Sequence, residues 1–145
     1  MKDQVYIGDN YDKPFMLPFG CARRETKHFY TQQVDGILGL SRKESPHTKQ
    51  NGHTAIYKQM KKAGIIDKLM FTLCLGQNGG YLQFGGYSKQ GFTKPLSWIN
   101  FTEHADFKIP ITGIYLGNTL INTSIKSGLV DSGTSYAYFP RILSK

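Results

Sequence analysis

Leu129-Val130-Asp131-Ser132-Gly133-Thr134-Ser135 is the stretch on which the reading of this chain turns. Two apolar residues lead into a carboxylate, and a small residue, a glycine and two hydroxyls follow. The apolar pair predicts the end of a buried strand. Gly133 predicts a sharp turn just beyond it. A carboxylate at the end of a buried strand is costly unless hydrogen-bonded, and Ser132, Thr134 and Ser135 place donors beside it. That pattern makes Asp131 a candidate for chemistry. The same residues also suit an Asp that closes a turn on its own backbone.

Immediately upstream, Phe107 to Leu116 reads as strands interrupted at Pro110. Ile114-Tyr115-Leu116 and Thr119-Leu120-Ile121 flank Gly117-Asn118, a two-residue hairpin signal. Farther back, Phe71-Thr72-Leu73-Cys74-Leu75 alternates like a strand. Gln77-Asn78-Gly79-Gly80 predicts a turn, and Tyr81-Leu82-Gln83-Phe84-Gly85-Gly86 the returning strand. Between His53 and Ile66 the spacing of Ile56, Met60 and Ala63 predicts an amphipathic helix, with Gly64 as its stop. Ser45-Pro46-His47 and Asn51-Gly52 mark a loop before it. Val34-Asp35-Gly36-Ile37-Leu38-Gly39-Leu40-Ser41 sets an apolar pair between glycines, which predicts a strand passed closely by another backbone. Near the start, Val5-Tyr6-Ile7-Gly8 is β-like and opens onto the turn signal Asp9-Asn10. Phe15 to Cys21 is a second apolar run, in which Pro18 argues against a central strand.

Several of these segments together resemble the pepsin-like (family A1) aspartic proteases. Leu129-Val130-Asp131-Ser132-Gly133-Thr134-Ser135 resembles the family's second catalytic motif. Asp35-Gly36-Ile37-Leu38-Gly39-Leu40 resembles the segment that threads beside the first catalytic loop, with Ile37, Leu38 and Gly39 as its core. Leu82-Gln83-Phe84-Gly85-Gly86 resembles the run that closes the first lobe. Phe19-Gly20-Cys21 together with Phe71 to Leu75 is similar to the plant-type, nepenthesin-like branch. The resemblance runs from about Val5 to Lys145 and implies an all-β fold with minor helix, part of a bilobal β-barrel architecture. Residues 1–96 would be the later part of an N-terminal lobe. Residues 97–145 would begin the C-terminal lobe and carry the second catalytic Asp.

The resemblance implies an aspartic endopeptidase in which Asp131 is catalytic. Ser132, Gly133, Thr134 and Ser135 would support the carboxylate and line the substrate cleft. The substrate would be a polypeptide, with no cofactor and no metal. Two carboxylates that close cannot both ionise, so one activates water while the other donates a proton. The chain contains no Asp-Thr-Gly and only one Asp-Ser-Gly, at Asp131. The first motif, the flap with its tyrosine and the second lobe's own apolar-apolar-Gly segment are therefore expected in segments outside this chain. Without them the chain is expected to be inactive alone. The competing reading is a non-catalytic binding or inhibitor-like protein on the same fold.

Composition narrows the rest. The chain has 145 residues and a formal net charge of +8, with a pI near 9.5. Its basic residues are scattered and no nucleic-acid motif accompanies them, so a solvated basic surface is expected and no nucleic-acid partner. No apolar run approaches a membrane span, and Met1-Lys2-Asp3-Gln4 lacks the apolar core of a signal peptide. The two cysteines, Cys21 and Cys74, fit no zinc or redox spacing and suit either two buried thiols or one disulfide. A disulfide is expected, since both lie on β-like runs of one presumed lobe. The four histidines have no metal-ligand spacing. Asn100-Phe101-Thr102 and Asn122-Thr123-Ser124 are glycosylation sequons. With the family resemblance, they imply a secreted or lysosomal/vacuolar location for the complete protein.

Overall fold

A computed structural model describes residues 1–8, 13–24, 29, 31, 33–42, 44, 54–89, 92–122 and 124–141. The turn expected at Asp9-Asn10, the loop from Ser45 to Gly52 and the helix start at His53 lie outside them. The described chain is mostly strand with one helix, β1 Lys2–Val5, β2 Phe15–Pro18, α1 Ile56–Lys62, β3 Phe71–Gly76, β4 Gly79–Phe84, β5 Lys108–Pro110, β6 Ile114–Leu116, β7 Thr119–Asn122 and β8 Ser127–Leu129. The strands form four antiparallel pairs, β1 with β2, β3 with β4, β5 with β8, and β6 with β7. The chain divides into two compact units. The first holds Met1–Leu40 and Glu44–Gly91, and the second holds Ser41–Lys43 and Phe92–Lys145.

The first unit is built on α1. Ile56, Tyr57 and Met60 are its buried residues, and Ala63 is the exposed C-cap rather than part of the apolar face. Tyr57 replaces the expected Ala63 because a phenol at this position reaches Phe71, with ring centroids 5.5 Å apart. Gly64 ends the helix at φ +70°, a conformation that costs a residue with a Cβ. Phe15 from β2 and Ile66 complete the buried cluster, and Leu17, Phe71 and Phe84 pack on it. Burying each such side chain contributes about 1.5–3 kcal/mol. The β3–β4 hairpin turns through Gln77-Asn78, tighter than expected, because Gly79 and Gly80 are already paired with Gly76 and Leu75. Gly85 then passes so close that a Cβ would lie 2.8 Å from Ile66 Cβ, and its φ is +78°.

Val34 to Ser41 forms no strand, contrary to expectation. Ile37 is 79% exposed and nothing lies within 4 Å of where a Cβ would stand on Gly36 or Gly39. A strand needs a paired neighbour for its backbone groups, and none is present for this segment among the described residues. The β-like run at Val5 is also displaced, with β1 covering Lys2–Val5 and Gln4 paired with Met16. Pro18 closes β2 at a two-stranded pair, where its missing N–H is tolerated.

The second unit is made of the β5–β8 and β6–β7 pairs. Gly117 has φ +59° at the first turn position of the β6–β7 hairpin, and no described non-glycine residue has positive φ, the pattern of a II′ turn. The register shifts between Ile114 and Tyr115. Phe101 meets the edge of Phe107 with centroids 5.6 Å apart, and Arg42 stacks 4.5 Å above the Phe101 ring. Lys108 Nζ pairs with Glu103 Oε1 at 2.8 Å. Arg42 also donates to the Glu103 carbonyl at 3.4 Å.

Candidate active site

Asp131 is delivered by strand pairing. Lys108, Ile109 and Pro110 of β5 face Leu129, Gly128 and Ser127 of β8. Ile111 N donates to Lys126 O at one end, and Val130 N donates to Phe107 O at the other, each at 2.9 Å. The ladder therefore runs one residue past β8 and stops at Asp131, where the chain turns. Gly133 N donates to Asp131 Oδ1 at 2.9 Å, and the Thr134 hydroxyl donates to Oδ2. Thr134 N reaches the Asp131 carbonyl at 3.4 Å. Each carboxylate oxygen thus has a donor of its own.

Those donors favour the charged form. They hold the Asp131 carboxyl below the usual carboxylate range, the Thr134 hydroxyl most and the Gly133 amide next. Gly133 has no positive φ, so the turn does not require a glycine for handedness. Its value is space, since a Cβ there would lie 3.3 Å from Asp131 Oδ1. The buried strand end expected at Leu129-Val130 is not found. The two residues are 58% and 57% exposed. β8 is paired on one edge only and no described layer covers the pair.

Asp131 is part of the lining of a groove of about 650 Å³. Its lining includes Ile111, Ile114 and Ile125, Thr134 and Ser135 of the motif, and Tyr136, Tyr138 and Phe139 beyond it. Gly128 forms part of the lining, and a Cβ on it would come within 2.7 Å of Ile111 Cδ1. An exposed, ionised carboxylate beside an apolar groove can accept a proton from water next to a bound apolar chain.

The sequence profile of the family described as "Eukaryotic aspartyl protease" matches residues 1–144. The chain belongs to the eukaryotic aspartyl protease family. Among its relatives, mouse cathepsin E is 34% identical over 124 residues, 81% of this chain and 30% of that protein. Mouse gastricsin is 32% identical over 130 residues, 84% of this chain and 32% of its own length. Chicken pepsin A is 27% identical over 128 residues, 85% of this chain and 34% of its own length. The chain thus spans about a third of the length of the relatives it matches.

Asp131, Gly133 and Thr134 of this aspartyl protease chain are brought together in one hydrogen-bonded turn, and Ser135 lines the groove beside them. Ser132 lies in the turn and is exposed. Ile37, Leu38 and Gly39 belong to the first unit and stand exposed. The expected bridge between Cys21 and Cys74 is absent, as both thiols are free and exposed. Only the Phe71-Thr72 end of β3 is half-buried, and Cys74 lies on the open end opposite Tyr81. Asn100 is exposed in an irregular segment, and Asn122 ends β7 opposite Ile114. Among the described residues no trio of His, Cys, Asp or Glu is placed to hold a metal, and no helix is long and apolar enough to cross a membrane.

Sequence reasoning missed the groove itself. Ile111 and Ile125 lie 20 and 6 positions before Asp131. Their signal was the apolar character of single residues just outside the strands before the motif, which reads as core until the pairing is known. Tyr136, Tyr138 and Phe139 follow the motif directly in sequence.

Proposed function

We propose that this chain supplies one of the two acids of an aspartic-type endopeptidase, with Asp131 as that acid and a polypeptide as substrate. The observation that carries the reading is the Asp131 carboxylate, held by Gly133 and Thr134 and open to an apolar groove. In this reading Asp131 is the ionised member that takes a proton from the attacking water. A second carboxylic acid, outside this chain, protonates the peptide carbonyl oxygen. Thr134 and Gly133 keep the carboxylate oriented. The groove residues hold substrate side chains beside the scissile bond, so binding is converted into positioning.

The same reading assigns residues 1–96 to an N-terminal lobe and 97–145 to a C-terminal one. It is supported by the change of compact unit near Gly91 and Phe92. Ile37, Leu38 and Gly39 would be covered by the loop that carries the first acid. The finer placement in a plant-type, nepenthesin-like branch rests on Phe19-Gly20-Cys21 and Phe71 to Leu75. A secreted or lysosomal/vacuolar location follows from the family and the sequons.

A second reading has a specific observation in its favour. The donors to Asp131 are both local, so the residue closes its own turn without a partner loop. A non-catalytic binding protein would keep that turn.

The deciding experiment joins the chain to the segments that complete the fold and assays peptide cleavage at acid pH. Asp131→Asn is expected to lower kcat by about 10²–10⁴-fold, because an amide cannot exchange the proton. Thr134→Ala is expected to cost less, as it loosens the carboxylate without removing it. Full activity in the Asp131→Asn protein would show the motif to be a structural turn. The isolated chain is expected to cleave nothing.

A further inference from the structure

We infer that Arg42, Phe101 and Phe107 are positioning residues for Asp131, joined to it through the last strand bond before its turn. The inference rests on the reading of Asp131 as a catalytic acid and extends it to three residues outside the groove lining. The Gly133 and Thr134 donors close the turn on the carboxylate. They do not fix the backbone that enters the turn. The side chains of Leu129 and Val130 do not anchor it either, since both residues are more than half exposed. A backbone bond does. Val130 N donates to Phe107 O at 2.9 Å, one step beyond the paired Lys108 and Leu129 and immediately before Asp131. The entry to the turn is therefore set by where Phe107 stands.

Phe107 is held by a brace that belongs to no strand. Its ring meets the Phe101 ring at 5.6 Å and 63°, and the Arg42 guanidinium lies 4.5 Å over the Phe101 ring. Arg42 Nη1 donates to Glu103 O at 3.4 Å, Thr102 N donates to Lys108 O at 2.8 Å, and Glu103 Oε1 pairs with Lys108 Nζ at 2.8 Å. Residues 101–108 thus close on themselves at the start of β5, with Arg42 brought to them from far back in the sequence. Ser41–Lys43 cluster with this unit, although the chain on both sides of them belongs to the first. A guanidinium is drawn to the negative face of a ring and stacks flat on it, which an ammonium cannot do. When the bond from Val130 to Phe107 frays, the backbone entering the turn is freed and the carboxylate spends less time on its donors. Catalysis by positioning loses rate steeply with small displacements of the reacting group.

The test uses variants that keep every charge, so that no change at Asp131 comes from a lost cation. Phe101→Ala removes the ring under Arg42, Arg42→Lys keeps the charge without the stack, and Phe101→Tyr keeps the ring. The Asp131 titration is followed by NMR in the 145-residue chain through the Gly133 amide, with the Thr119 and Leu120 amides of the β6–β7 hairpin as the fold control. Phe101→Ala is expected to move the midpoint upward, Arg42→Lys to move it partway, and Phe101→Tyr to rescue it. Should Phe101→Ala disturb the control amides, Arg42→Lys decides. In the completed protein of the peptidase assay, Phe101→Ala is expected to lower kcat about 10–10²-fold with little change in KM. Unchanged midpoints in Phe101→Ala and Arg42→Lys overturn the assignment, as does a raised KM at constant kcat. The titration needs no cleavage. A completed wild-type protein that cleaves nothing, or an active Asp131→Asn protein, defeats the peptidase reading and leaves the midpoints as measured, so the two failures are told apart.

Discussion

The two units of this chain are held together differently. The first has a small hydrophobic core in which Met60 is 3% exposed and Phe15, Ile56 and Tyr57 are each 5% exposed. The second has no described hydrophobic residue buried to that degree. It is held by paired strands, the aromatic edge contact of Phe101 with Phe107, the stacked Arg42 and the Lys108–Glu103 ion pair. Burial of apolar area is cooperative and insensitive to salt, whereas exposed ion pairs and two-stranded sheets are each marginal. The Asp131 turn lies on the unit with the weaker interior. What orders Asp131 is therefore local, a strand pair on one side and a self-closed turn on the other. A site of this kind gains rigidity from whatever packs on it.

The comparison can be broken most sharply in the first unit. Met60→Ala removes three heavy atoms from the centre of its core and is expected to cost about 2–5 kcal/mol. Amide hydrogen exchange should show the loss across α1, β2 and β3, with the amides of β5 and β8 unchanged. Equal loss in both units would mean that they unfold as one. A smaller effect is expected at Gly85. Its φ of +78° and the 2.8 Å approach of Ile66 Cβ make Gly85→Ala strained twice over. A cost of about 1–3 kcal/mol is expected from positive φ and overpacking, read as a lower melting temperature of the first unit.

In the second unit the expected effects are smaller because its contacts are only partly buried. Arg42→Ala removes the ring contact with Phe101, worth about 0.5–1 kcal/mol at an exposed site. Faster exchange of the Thr102 and Val130 amides is the readout, and Arg42→Lys should recover only part of it, since the planar guanidinium is what stacks. No change in either amide would mean that Arg42 does not order the unit.

The smallest effect is a pH dependence confined to the motif. The folded carboxyl of Asp131 sits below its unfolded value, so its hydrogen bonds stabilise the turn above the usual carboxylate range. That contribution is lost as pH falls through the depressed folded value. A proton titration of the Gly133 amide shift by NMR should follow this acid-side midpoint. Thr134→Val should move the midpoint upward, because the larger of the two hydrogen-bond causes is gone. An unchanged midpoint would place the cause elsewhere.

Much of the fold was legible because its signals are local. The hairpin over Ile114 to Ile121 follows from Gly117-Asn118, a turn preference acting across two residues. The helix around Met60 and its stop at Gly64 follow from spacing and handedness over one turn. The Asp131 turn follows from donors two and three residues away. Readings that needed a distant partner fared differently. Cys21 and Cys74 each lie on or beside a strand, yet pairing depends on where two hairpins meet, and the thiols remain free.

By itself the sequence determined the class of fold, the family resemblance and the self-closed turn that holds Asp131, since each depends on neighbours a few residues apart. Only the tertiary structure decided that Ile111, Ile125 and Asp131 line one groove, that Ser41–Lys43 cluster with the second unit, and that Ile37 stands open. Those outcomes depend on which strands pair and which faces are covered. Composition and spacing along one chain do not encode that directly, because the contacts that settle it join residues far apart in sequence.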